Sequence, residues 1–230
     1  MIETYNESSL HRTLKALYAE RTAGETEREV RGKICDVVTA DEGIIEIQTA
    51  GIAQLAGKLA ALVPHYAVRV VYPLAAETRI ETQDECGAVV SARKSPKKRC
   101  VYDVFRELTG ICPWLLHRNF SLEVLPVSVK EIRVRTAEPV QLPNKSRRFR
   151  RPWYKSDKAL LECRTPLVLA GKADYLALLP ERLGREFSAA DLRAEGLGKN
   201  ASLMLWVLRK SGVIAETRAE GRTKWYSVAE

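Results

Sequence analysis

Residues 33–49 read KICDVVTADEGIIEIQT. Two β-branched, apolar flanks enclose a turn-forming ADEG, a pattern that predicts an antiparallel hairpin with strands over 33–39 and 43–49. Asp36, Glu46 and Gln48 interrupt those flanks. With a loop of about three residues, Asp36 and Glu46 stand equidistant from the turn and face each other across the ladder. Gln48 shares the face of Glu46, because side chains alternate along a strand. One reading makes this a surface-facing side of the hairpin. The other, favoured by the apolar neighbours, makes it a buried carboxylate pair.

Working outward, NESSLHRTLKALYAE from Asn6 spaces Leu10, Leu14 and Leu17 as one helical stripe, with Ser, Asn and Glu as capping residues at its start. Three residues before Leu10 lies Glu7, at the edge of the face that packs on the domain. After the hairpin, GIAQLAGKLAALV places Ile52, Leu55, Leu59 and Leu62 on one side of a helix that Pro64 ends. YAVRVVYPL follows as a buried strand entered through that crossover helix, the parallel arrangement. Further on come a basic loop, RKSPKKR (93–99), a helix over VYDVFREL and a strand over SLEVLPVSVKEIRVR.

The chain has 230 residues, enough for two domains of ordinary size. MIETYNESSLHR has neither a basic start with an apolar core nor a small-residue cleavage site, and no apolar run is long enough to span a bilayer, so a soluble cytoplasmic protein without a membrane partner is expected. Five scattered cysteines, none in CxxC spacing, suggest neither a disulfide framework nor a zinc site. His11, His65 and His117 show no metal-binding spacing, and no phosphate-cradling GxxxxGK[ST] occurs. The formal charge of +8 is uneven: residues 137–230 carry 18 Lys+Arg against 11 Asp+Glu. Such an excess draws polyanions, of which nucleic acid is the usual soluble one.

EPVQLPNKSRRFRRPWYK (138–155), with three prolines and no periodicity, reads as a boundary between domains. It interleaves Arg147, Arg148, Arg150 and Arg151 with Phe149, Trp153 and Tyr154, which suits either a phosphate-tracking arm with stacking residues or a solvated linker. The expected division is therefore 1–136, a basic linker over 137–156, and 157–230.

Beyond it, a helix capped by Ser188, a glycine-rich turn, a second helix stopped by Gly212 and a hairpin pairing 213–217 with 223–228 follow in order. Leu203, Trp206 and Val207 are the residues expected to face inward from the second helix. This succession resembles a winged helix domain, closely over 186–228 and loosely over 157–185. The resemblance implies base contacts from Lys199, Asn200 and Ser202, and wing contacts from Arg218, Arg222 and Lys224.

Glu7, Asp36 and Glu46-Ile47-Gln48, on a helix and the hairpin after it, resemble the PD-(D/E)xK nuclease pattern over residues 5–74. The fold class implied is α/β (α+β): a restriction-endonuclease-like sheet with flanking helices, followed by the winged helix. The resemblance implies Asp36 and Glu46 as ligands of Mg²⁺ or Mn²⁺, with Glu7 assisting. In that family a lysine orients or deprotonates the attacking water, and here Gln48 stands in its place without charge. Some members carry the lysine on the next helix, where Lys58 is the candidate, its other reading being a solvated helix residue. Two functions follow: a Mg²⁺-dependent nuclease delivered to DNA, or a non-cleaving DNA-binding regulator or structural protein on the same scaffold. RNA as the nucleic acid, pairing of two copies, a partner protein in an operon and the need for an ATP-driven partner stay open.

Overall fold

The computed structural model describes residues 7–141 and 150–229. Helix α1 (Ser9–Thr22) starts at the N-cap Ser8, whose hydroxyl accepts the His11 amide, and ends at Ala23 in the left-handed region. It leads into β1 (Glu25–Val30), which turns through Arg31 and Gly32, both at positive φ, into β2 (Lys33–Val38). β1 is absent from the sequence-based expectation: ETEREV has no apolar alternation to announce it, and it is an exposed edge strand. β2 pairs antiparallel with β3 (Ile44–Ile47) in the anticipated register, Val37 opposite Ile45 and Val38 opposite Ile44. A single 3₁₀ turn (Ile52–Leu55) and α2 (Ala56–Leu62) then bury Ile52, Leu55, Leu59 and Leu62 and return the chain to β4 (Val68–Gln83), parallel to β3.

β4 runs on past Leu74, where the foreseen strand ends, to Gln83. Its far half pairs with β5 (Val89–Lys94), and its whole length pairs in parallel with β6 (Phe120–Gln141), reached through a 3₁₀ turn and α3 (Phe105–Leu108). β7 (Arg150–Cys163) runs back along β6, and β8 (Leu167–Leu169) extends it. The result is a curled mixed sheet of eight strands in the order β1-β2-β3-β4-β6-β7, with β5 on β4 and β8 on β6. The expected linker over 137–156 is therefore corrected: its described residues belong to the β6–β7 pairing. Pro139 and Pro152 fall where the register shifts between Arg135 and Val140, a bulge that tolerates residues without an amide hydrogen.

α1 covers one face of the sheet, with Leu10, Leu14 and Tyr18 packed on Val37, Ile45, Ile47 and Val71. On the other face, α2 and α3 share one apolar cluster with the C-terminal elements. These are α4 (Lys172–Leu176), β9 (Phe187–Ser188), α5 (Ala189–Leu192), α6 (Ala201–Ser211), β10 (Ile214–Glu220) and β11 (Thr223–Val228). Ser188 caps α5 in a reciprocal box with Asp191, and Gly212 at positive φ ends α6, both as the sequence predicts. β10, β11 and β9 form a small sheet in that order. α6 buries Ala201, Met204, Leu205, Val207 and Leu208, whereas Trp206 is 39% exposed and Leu203 only partly covered, so the expected inward face is rotated. No helix of the described residues is long and apolar enough to cross a membrane.

A candidate carboxylate centre at the opening of the hairpin

Alternation along β3 turns Ile45 and Ile47 toward α1 and leaves Ile44 and Glu46 on the α2 side. Past Val37 and Ile45 the regular β2–β3 ladder gives way, and the two carboxylates replace it. The Asp36 amide donates to Glu46 Oε1 at 3.4 Å, and the Ile47 amide donates to Asp36 Oδ2 at 2.8 Å. Each side chain thus satisfies a backbone amide of the opposite strand, which would be costly to leave unpaired.

Cations close the centre from both sides. From α2, the Lys58 ammonium lies 2.5 Å from Glu46 Oε2, with Glu46 only 3% exposed. From α1, His11 Nε2 lies 3.3 Å from Asp36 Oδ2, while its Nδ1 contacts Glu7. Lys15, one turn further along α1, reaches Glu7 at 2.8 Å and Glu27 at 2.7 Å. Glu27 belongs to β1 and has φ +56°, an uncommon conformation for a side-chain-bearing residue, at a point where the β1–β2 pairing skips.

These neighbours set the titration of the group. Burial pushes the Glu46 carboxyl up to about 7 against the pull of Lys58, with the Asp36 charge adding to the rise. Burial also works to raise Asp36, but hydrogen bonds from His11 and the Ile47 amide outweigh it and hold the carboxyl below its usual range. For His11, burial opposes the charge, yet Asp36 and Glu7 together keep the imidazolium above its ordinary value. Glu7 is held low: burial opposes this, and Lys15 and His11 prevail.

Of the residues singled out in the sequence, Asp36, Glu46, Lys58 and, through His11, Glu7 come together. Gln48 does not: its side-chain amide turns back to the Ala50 carbonyl at 2.5 Å. His11, Lys15 and Glu27 were missed, although Glu7, His11 and Lys15 lie at successive four-residue steps, the spacing of one helical face. Among the described residues, no three His, Cys, Asp or Glu side chains are placed to hold a metal ion together. A cleft of about 430 Å³ opens beside Glu7 and Ser8, and a larger one of about 660 Å³ lies at the other end of β3 and β4, around Ala67 and Arg69. The smaller cleft is the relevant one, because it adjoins the centre.

The chain matches the family described as "Domain of unknown function (DUF8091)" over residues 8–170. It belongs to that family. A protein of Treponema pallidum (strain Nichols), described as "Uncharacterized protein", is 33% identical over 225 residues, spanning 98% of this chain and 86% of its own length. No solved structure matches. The DUF8091 region runs from α1 through β8 and contains His11, Asp36, Glu46 and Lys58, with Glu7 one residue before it, while the small three-stranded sheet lies beyond it.

The expected nucleic-acid contacts divide. Ser202 accepts from Arg193 at 2.7 Å and lines a shallow recess with Arg222 and Lys224. Lys224 is paired with Glu216 at 3.0 Å; Arg218 is paired with Glu186 at 3.1 Å and lies over the Trp225 ring at 4.4 Å. Asn200 is turned inward instead, donating to Asp103 Oδ1 at 3.2 Å, which docks the start of α6 on the segment before α3. Lys199 is exposed. Arg150 and Arg151 are exposed at the start of β7, opposite Gln141 and Val140. Arg147 and Arg148 lie outside the described residues.

Proposed function

We propose that this chain is a nucleic-acid-binding protein with a PD-(D/E)xK-like, metal-dependent phosphodiester hydrolase centre at the β2–β3 hairpin. In this reading α5, α6 and β9–β11 act as a winged helix that delivers the centre to DNA. The observation that carries it is the cross-strand engagement of Asp36 and Glu46, each bonding a backbone amide of the other strand, with the Lys58 ammonium 2.5 Å from Glu46. By donor type, the two carboxylates suit a hard divalent ion and would hold Mg²⁺ or Mn²⁺. Such an ion supplies a polarised phosphodiester and a more acidic bound water. Lys58 supplies the positive charge that Gln48 lacks, and it comes from the helix after the hairpin. His11 orients Asp36 as a positioning residue, and Glu7 orients His11 in turn.

Calorimetry with Mn²⁺ and plasmid nicking on the same samples test this. Wild type should bind the ion and nick, and Asp36→Ala should lose both while keeping its DNA affinity. Absence of metal binding in wild type would sink the hydrolytic reading. One observation favours a second reading, a DNA-binding protein that does not cleave: Lys58 and His11 already neutralise the two carboxylates, and both carboxylates already bond backbone amides. Under that reading Asp36→Ala changes stability alone.

A further inference from the structure

The cleft beside Glu7 continues along β7 into a second recess of about 310 Å³, and Arg99, Lys155 and Lys158 line both. Lys97 and Arg133 add to the second. Three carboxylates besides Asp157 line the two recesses, and each is engaged: Glu131 is shared between Arg133 at 2.7 Å and Lys155 at 2.8 Å, Glu107 accepts the Gly51 amide at 2.8 Å, and Glu7 is held by His11 and Lys15. Asp157 serves elsewhere, accepting the Ser9 amide at the start of α1 at 2.9 Å. Among the described residues, the Lys158 ammonium has no hydrogen-bond or ion-pair partner although the residue is half-buried, and the Arg99 guanidinium reaches only the Tyr72 hydroxyl at 3.4 Å. A half-buried ammonium beside other cations is unfavourable unless an anion occupies the concavity they share.

We propose that Arg99, Lys155 and Lys158, with the Tyr72 hydroxyl as a further donor, form a phosphate-binding cleft that takes a backbone phosphate of a polynucleotide next to the carboxylate centre. The choice of a polynucleotide rests on the nucleic-acid reading above; the choice of a phosphate rests on the cations themselves. Planar Arg99 and the two ammonium groups provide several charged donors at one concave place, the recognition that phosphate oxygens require. The Tyr72 oxygen accepts from Arg99 and keeps its own proton to donate, since burial holds the phenol above its usual range, with Glu107 also raising it. Burial, then Lys155 and Arg99, bring the Lys158 ammonium down to about 8. Filling the cleft with an anion reverses that depression, so binding near pH 8 should take up a proton.

The test is titration of a short single-stranded oligonucleotide and, separately, of inorganic phosphate into the full chain in EDTA, so that hydrolysis plays no part. Lys158→Gln and Arg99→Gln should each weaken oligonucleotide binding about ten-fold and reduce the salt slope by about one contact. Proton uptake, read from the heat of binding in two buffers, should vanish in Lys158→Gln. Asp36→Ala should bind as wild type does, so a protein that binds but does not nick leaves the cleft standing and removes only the hydrolytic reading. Unchanged affinity and salt slope in both folded variants would overturn the cleft. Inorganic phosphate binding as tightly as the oligonucleotide would overturn the polynucleotide assignment.

Discussion

The carboxylate centre and the C-terminal unit solve opposite problems. At the hairpin, charge is brought inside: Glu46 is buried, and its oxygens are engaged by Lys58 and by a backbone amide. In the C-terminal unit charge is kept out, with Arg218 and Lys224 paired at the surface and Met204, Leu205 and Leu208 packed into the cluster that also holds α2 and α3. A buried ion pair contributes little net stability but is costly to break, whereas an apolar contact stabilises in proportion to the area it buries. The difference teaches that the hairpin centre is maintained at a cost and the helical unit is where the fold gains.

The largest expected effect tests the second half of that contrast. Leu208→Ala, at a fully buried position, should lower stability by about 3 kcal/mol in urea unfolding. Because its cluster is continuous with the large sheet, unfolding should stay a single transition; a separate early transition of the C-terminal unit would break the comparison. Next, Lys58→Met should cost about 2 kcal/mol at pH 8, where Glu46 is ionised and left alone, and much less at pH 5. An equal loss at both values would mean that Lys58 acts through packing.

A smaller effect isolates Glu46. Its folded value near 7 is above the ordinary 4.5, so the folded state binds the proton more tightly. The corresponding stability is present below 4.5 and is lost as pH rises toward 7. Glu46→Gln should flatten that decline, measured by denaturant unfolding across the window. His11 overlaps it only at the upper end, and Asp36, held low, acts below it. The smallest effect is Trp206→Ala, at an exposed position of α6, which should change stability by less than about 0.5 kcal/mol. A weakened DNA affinity in that variant would sharpen the winged helix reading, because stability and binding would then separate.

Much of the centre was legible along the chain for a local reason. Residues equidistant from a short turn face each other, so the register of Val37 with Ile45 and Val38 with Ile44 brings the next pair, Asp36 and Glu46, into contact. The stripes of α1 and α2, the parallel return into β4, the Ser188 cap and the Gly212 stop are equally local, each needing only a few neighbouring residues. Tertiary packing decided the rest. Gln48 turns away, and Lys58, His11 and Lys15 converge on the carboxylates only because α2 and α1 lie on opposite faces of the same sheet. The described residues on either side of the proline-rich stretch are strand because β6 and β7 pair there and a bulge accommodates Pro139 and Pro152. Arg99 and Lys158 stand far apart in the chain and meet because β7 folds back along β6. A carboxylate pair within one hairpin is a matter of register, whereas a cation from another element arrives only through the packing of that element's apolar face.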